Sequence, residues 1–139
     1  MTGNPGFAGW QNICIQSLVE MPCVINRLLD ELQPLTFTDK EKFGIRLALE
    51  EALVNAVKHG NRQDPNKAVR IRYQITNQHF LIEIEDEGPG FDPDGVPDPL
   101  DPENLERPGG RGVFLMRHYM SWVQYNETGN RVTLCKVRK

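Results

Sequence analysis

The chain has 139 residues, of which 39% are apolar and 25% are charged, and its formal net charge is -3. This length predicts one domain over residues 1–139 with a single hydrophobic core. Lys and Arg are scattered, and no apolar run approaches the roughly 18 residues that span a bilayer, so neither a nucleic acid nor a membrane is expected as a direct partner. The N-terminus does not resemble a secretory signal, and the three cysteines are too widely spaced for a disulfide framework or a metal pattern. A reducing, cytoplasmic location is therefore expected.

The first half of the chain is predicted to form one strand and two helices. Weak alternation of apolar residues predicts the strand over residues 10–16. A first helix is predicted to end near Gln33, because apolar residues recur at helical spacing before it. These residues are Val24, Ile25, Leu28, Leu29 and Leu32. Thr38 and Glu41 match a capping box, which opens a second helix that runs to about His59 and stops at Gly60.

A hairpin follows the second helix. Alternating apolar and polar residues predict strands over 69–76 and 80–85, with a turn at residues 77–78. Since side chains alternate between the two faces of a strand, the inward face continues to Asp86. This carboxylate is therefore expected to point towards the helices.

The sequence after this hairpin is predicted to form a loop, a helix and a second hairpin. Residues 88–110 are rich in proline, glycine and acidic side chains, which is typical of a functional or disordered loop. Helical spacing resumes at Gly112, and the last two strands are predicted over 122–126 and 131–137. This order predicts an α+β fold, a two-layer sandwich in which helices cover one face of a largely antiparallel, mixed sheet.

Glu51 and Asn55 are one turn apart on the same face of the second predicted helix. Most of that segment is small or aliphatic, where polar groups cost free energy unless they bind something. A carboxamide oxygen suits Mg²⁺, which takes its other ligands from water and phosphates, and a carboxylate one turn away could polarise a hydroxyl or a water. The alternative is an ordinary helix face, with Glu51 in solvent and Asn55 bonded to a neighbouring backbone group.

The sequence Asp-Glu-Gly-Pro-Gly runs from Asp86 to Gly90 at the end of a predicted strand. An aspartate in this position can accept a hydrogen bond from an exocyclic amine such as that of adenine. Gly88 and Gly90 let a flat ring approach the backbone because they have no side chains. The alternative is a simple strand end followed by a turn.

A third segment, Gly-Gly-Arg-Gly over residues 109–112, directly precedes a predicted helix. Free backbone N–H groups at a helix start suit phosphate oxygens. No Gly-Lys-Ser/Thr follows, so the segment is not a Walker A loop. The alternative is a flexible loop end followed by a helix cap.

Together and in this order, the three segments resemble the N, G1 and G2 boxes of the GHKL superfamily of ATP-binding domains, the HATPase_c-like domains that share the Bergerat fold. Residues 51–60 and 109–116 are most similar to the anti-sigma-factor serine/threonine kinases of the RsbW and SpoIIAB type. The resemblance extends over residues 10–137, which is nearly the whole chain.

The resemblance implies ATP and Mg²⁺ as cofactors and gives each site residue a role. Glu51 would be the catalytic carboxylate that orients the substrate hydroxyl, Asn55 would bind the Mg²⁺ that bridges the phosphates, and Asp86 would bind the adenine amino group. Residues 91–108 would form the ATP lid. The other residues implied at the nucleotide are Lys58, His59, Gly88, Gly90, Arg107, Gly110, Arg111, Gly112 and Val113. Either arginine of this set would reach the γ-phosphate.

The resemblance also implies a function and partners. Kinases of this type phosphorylate an anti-anti-sigma protein of the STAS type, sequester a sigma factor and commonly work as homodimers. The same is expected here. Two other functions stay open, namely a non-catalytic nucleotide-binding module that acts by sequestration and a detached histidine-kinase ATPase domain. The second fits less well, because the sequence contains no helical phosphoacceptor segment.

Overall fold

The computed structural model describes residues 9–90 and 110–138, and it describes residues 110 and 111 by their backbone alone. The described strands are β1 Gln11–Ile15, β2 Val69–Ile75, β3 His79–Glu85, β4 Trp122–Tyr125 and β5 Arg131–Val137. The described α-helices are α1 Met21–Glu31, α2 Asp39–Val54 and α3 Gly110–Tyr119. The predicted lid lies outside the described residues, and so does Arg107.

The strands form one sheet in the order β1-β2-β3-β5-β4. All four strand pairs among the described residues are antiparallel. The sheet buries one face, as the alternating sequence predicted. The side chains that its three central strands contribute to the hydrophobic core are Val69, Ile71, Tyr73, Phe80, Ile82, Ile84, Val132 and Leu134. The other face carries polar pairs such as Arg72 and Glu83, whose Nη1 and Oε1 atoms are 3.2 Å apart.

The helices pack against the buried face of the sheet, and α2 contacts both α1 and α3. The predicted capping box starts α2: the Thr38 hydroxyl accepts from the Glu41 N–H at 3.1 Å, and the Glu41 carboxylate accepts from the Thr38 N–H at 2.9 Å. The hydroxyl of Tyr73 donates to the Glu31 carboxylate at 2.8 Å, which joins the sheet to α1. The α+β class is confirmed.

The end of α2 differs from the prediction of an α-helix to about His59. The α-helix ends at Val54, and the chain continues as a π-helix, Asn55–Gly60. The N–H of Asn61 closes this segment by donating to the Ala56 carbonyl at 2.8 Å, five residues back. A π turn holds more residues than an α turn, and such segments are often found at functional sites. Apolar spacing alone does not distinguish the two over so few residues.

Other element ends lie close to their predicted positions. Helix α1 ends at Glu31 and is followed by a 3₁₀ turn, Gln33–Leu35. Helix α3 begins at Gly110, two residues before the predicted start. Within residues 9–90 and 110–138, none of the helices has the length and hydropathy that a membrane crossing requires.

Candidate functional site

A cavity of about 190 Å³ lies between the π-helix and the inner side of β3 and β5. Its lining combines the end of the helical layer, the segment after β3 and the turn between β4 and β5. The lining residues are Ala52, Asn55, Ala56, His59, Gly60, Arg62, Ile84, Asp86, Pro89, Gly90, Tyr125, Gly129, Asn130 and Val132. The first two predicted motifs therefore meet at one cavity.

Asp86 follows the last residue of β3 and lines the cavity, as the inward alternation of the strand predicted. Its Oδ1 accepts a hydrogen bond from the N–H of Gly88 at 2.7 Å. Burial raises the pKa of Asp86 above its ordinary value, and the charge of Glu85 adds to this, whereas the Gly88 N–H and the charge of Lys67 oppose it. The cavity thus contains a partly desolvated carboxylate that can accept a hydrogen bond.

Two glycines bring the π-helix against this carboxylate. A Cβ atom at Gly60 would overlap the carboxylate of Asp86, and one at Gly88 would overlap the carbonyl oxygen of Gly60. Asn61, the next residue, is 3% exposed. Its Oδ1 accepts from the Glu87 N–H at 2.6 Å, and its Nδ2 donates to the Ala68 carbonyl at 3.1 Å. These contacts fix the distance between the helix end and the Asp86 segment.

Glu51, Asn55 and Gly112 lie together where α2 meets the start of α3. A Cβ atom at Gly112 would be 2.7 Å from Asn55 Nδ2 and 3.1 Å from Glu51 Oε2. The third motif is therefore in contact with the first. The absence of a side chain at Gly112 lets the start of α3 approach both polar groups.

The carboxamide of Asn55 has the character of a ligand-binding group. Its Nδ2 is buried and has no hydrogen-bond partner among the described residues. A buried amide without a partner costs free energy, which an external ligand can recover. Which end of the amide faces the ligand is set by the ligand, because rotation of the group exchanges nitrogen and oxygen. The carboxamide oxygen of Asn55 suits Mg²⁺, a cation that takes oxygen ligands, and the Glu51 carboxylate lies beside it.

The other residues predicted to contact the nucleotide differ in their position relative to the cavity. His59 lines the cavity, and burial lowers its pKa, with a further lowering by the charge of Lys58. Lys58 is exposed and is not one of the lining residues. The side chain of Val113 is 3% exposed and belongs to the hydrophobic core. Val113 therefore has only its backbone N–H to offer to a phosphate. The backbone of Gly110 and Arg111 forms the first turn of α3.

Sequence reasoning missed the part of the lining that comes from the last hairpin. Tyr125, Gly129, Asn130 and Val132 all contribute to it. Burial raises the pKa of the Tyr125 phenol far above its ordinary value. A signal for Asn130 was present, because it directly precedes β5 and lies two residues before the inward-facing Val132 in the same alternation.

The sequence matches the family described as "Histidine kinase-like ATPase domain" over residues 19–136. The chain therefore belongs to this family of ATP-binding domains, which confirms the resemblance to the GHKL superfamily. It is also 32% identical over 102 residues to the serine-protein kinase RsbW of Staphylococcus aureus strains JH9, Newman and USA300. The aligned region covers 68% of this chain and 64% of each relative, so the chain spans less than two thirds of the length of the curated relatives it matches.

Proposed function

We propose that the chain is an ATP-dependent protein serine/threonine kinase of the anti-sigma-factor type. The observation that supports this most is the convergence of Glu51, Asn55 and Gly112 beside a cavity that also contains the carboxylate of Asp86. ATP binding requires protein groups at both ends of the nucleotide, the adenine and the phosphates. A carboxylate next to the phosphate end adds what transfer to a hydroxyl requires.

The cavity residues bind and orient the nucleotide. Asp86 accepts a hydrogen bond from the adenine amino group. Gly90 lines the cavity beside the ring, and Gly88 shapes this end by letting Gly60 approach. The first backbone N–H groups of α3 donate to phosphate oxygens, as helix starts do. The further contacts proposed for the nucleotide are those of Lys58, His59, Arg107, Gly110, Arg111, Gly112 and Val113.

Asn55 is the residue that would hold Mg²⁺ in this proposal. The described residues contain no group of three His, Cys, Asp or Glu side chains that could hold a metal alone, which suits a cation that shares its ligands with a substrate. When bound, Mg²⁺ neutralises charge on the phosphates during transfer. Glu51 orients the acceptor hydroxyl and accepts its proton. The carboxamide and the carboxylate thus have separate tasks.

The proposed protein substrate is an anti-anti-sigma partner of the STAS type, and the proposed target of sequestration is a sigma factor. The similar S. aureus proteins are named serine-protein kinases, which supports a serine hydroxyl as acceptor. We propose a homodimer in the cytoplasm as the working form.

Glu51→Gln tests the catalytic step, because glutamine keeps the size of the side chain but cannot accept the proton. We expect phosphate transfer from radiolabelled ATP to a co-encoded STAS protein to fall by about 100-fold or more, with ATP affinity changed less than about 2-fold. Glu50→Gln is the matched control, since it makes the same change one residue earlier and should keep the transfer rate.

Unchanged transfer by Glu51→Gln would remove this residue from the catalytic role. Tight ATP binding without transfer by the parent protein would instead favour the non-catalytic sequestration module. Calorimetry of ATP binding on the same preparations shows whether a protein that does not transfer phosphate still binds ATP.

A further inference from the structure

The turn between β4 and β5 is organised by the side chain of Asn126. Its Oδ1 accepts three backbone hydrogen bonds, from Gly129 at 2.8 Å and from Asn130 and Arg131 at 3.1 Å each. Only an oxygen can accept these N–H groups, so the orientation of this carboxamide is determined by its surroundings. The Nδ2 of Asn126 is therefore left as a donor.

This donor determines the orientation of a second carboxamide. Asn126 Nδ2 donates to Asn130 Oδ1 at 2.8 Å. The other end of the Asn130 amide, Nδ2, is directed to the carbonyl oxygen of Asp86 at 3.4 Å. That distance exceeds the usual range of about 2.7–3.2 Å for such bonds. Asn130 Nδ2 is thus a donor that the described protein groups use only weakly.

Asn130 is the cross-strand neighbour of Asp86. Glu85 pairs with Arg131 in the antiparallel register, and the Asp86 N–H donates to the Asn130 carbonyl at 2.9 Å. Directly opposed residues have Cβ atoms about 5 Å apart and share a face of the sheet. Both residues line the cavity. A hydrogen-bond acceptor, the Asp86 carboxylate, therefore stands beside a hydrogen-bond donor, Asn130 Nδ2.

We propose that Asn130, oriented by Asn126, reads the ring nitrogen N1 of adenine while Asp86 binds the amino group, so that the pair selects adenine over guanine. The inference rests on the proposed function of the cavity as a nucleotide site. Adenine offers a donor (the amino group) next to an acceptor (N1), which matches the pair. Guanine offers an acceptor (O6) next to a donor (N1–H). The Asp86 carboxylate would then face another acceptor, and Asn130 Nδ2 would face another donor. A site whose groups match one arrangement of donors and acceptors rejects a base with the opposite arrangement, because the buried protein groups would be left without hydrogen-bond partners.

Asn126→Asp is the sharpest test. The new carboxylate still accepts the three backbone N–H groups, but it cannot donate to Asn130. The Asn130 amide then turns its Nδ2 to the carboxylate and presents its Oδ1 to the ligand. Two acceptors in a row match the N1–H and amino group of guanine. We expect the ratio of ATP affinity to GTP affinity to fall by about tenfold or more, measured by calorimetry on the full chain with Mg²⁺.

Two further variants complete the experiment. Asn130→Ala removes the donor without adding an acceptor, so ATP affinity should fall by about three- to tenfold. Asn77→Asp is the matched control: it makes the same chemical change at an exposed position in the β2–β3 turn, at the other end of β3, and should leave both affinities unchanged. Thermal unfolding of each variant shows whether the fold is kept.

Parent protein that binds GTP as tightly as ATP would overturn the inference. So would parental affinities in Asn130→Ala, which decides the question if Asn126→Asp does not fold. An unchanged ATP to GTP ratio in folded Asn126→Asp would overturn the inference while the proposed function stands. Failure of the parent protein to bind ATP would instead overturn the proposed function, and the inference with it.

Discussion

Asp86 and Asn55 are polar residues whose surroundings in the free protein satisfy them only in part. Burial disfavours the charge of Asp86, and the Asn55 Nδ2 has no partner among the described residues. Each arrangement lowers the stability of the free protein. A ligand that offers an amino group to the first and phosphate oxygens or a cation to the second recovers this free energy. The two residues therefore bear the signs of a binding site at the level of single side chains.

The raised pKa of Asp86 predicts that acid has opposite effects on binding and on stability. ATP affinity should fall as the pH falls through the raised pKa, since a protonated carboxyl no longer offers an ionised acceptor. The free energy of unfolding of the nucleotide-free protein changes in the other direction. The folded state takes up this proton at a higher pH than the unfolded state, so this residue favours folding more as the pH falls through its folded pKa.

Titration of ATP binding between about pH 4 and pH 7 checks this prediction. Asp86→Asn is the control, because it removes the carboxyl while the phosphates of ATP still titrate. A pH dependence of the same shape in both proteins would contradict the assignment of Asp86 to the adenine amino group.

At the scale of elements, the π-helix Asn55–Gly60 links the helical layer to the segment after β3. Its wider turn brings Gly60 against the carboxylate of Asp86, and Asn61 then bonds to the backbone of Glu87. The element thus positions Asp86, the residue proposed for the adenine, while Asn55 at its start lies against Gly112.

Gly60→Ala tests this close approach. Alanine is favoured over glycine in helices by about 1 kcal/mol, so helix propensity alone predicts a stabilised protein. The overlap of its Cβ with the Asp86 carboxylate predicts the opposite: loss of about 1–3 kcal/mol in the free energy of unfolding and weaker ATP binding. Denaturant unfolding and calorimetry measure the two quantities. Gly9→Ala is the matched control, because a Cβ there meets no atom within 4 Å. Equal stability of the two variants would show that the approach is not tight.

At the scale of the whole molecule, the sequence predicted those features that follow from local periodicity. Alternation placed Asp86 on the inward face, and the capping box placed the start of α2. The features that it did not predict depend on contacts between distant segments. The π-helix is fixed by the bonds of Asn61 to Ala68, just before β2, and to Glu87. The contribution of Asn130 depends on the turn that Asn126 organises. An asparagine in a polar turn is common, so its residue type alone carries no signal.

The cavity joins both layers of the fold, and this predicts that its ligand stabilises the molecule as a whole. A ligand that binds only the folded state adds about 2.7 kcal/mol at a hundredfold excess over its Kd. For a domain of this size that corresponds to a rise of roughly 5–10 °C in Tm. We expect ATP with Mg²⁺ to produce such a rise and a chelator to remove part of it.

Asn55→Ala isolates the contribution of the metal to this stabilisation. The variant should lose the part of the Tm rise that depends on Mg²⁺ and keep the part that adenine contributes through Asp86, since the two groups meet different ends of the nucleotide. Thermal unfolding with ATP, in the presence of Mg²⁺ or of a chelator, measures both parts without reference to catalysis. Asn66→Ala, at an exposed position in the loop before β2, is the control and should behave as the parent. An undiminished Mg²⁺-dependent rise in Asn55→Ala would exclude this carboxamide as the metal ligand, and the Mg²⁺ would then have to be held by other groups.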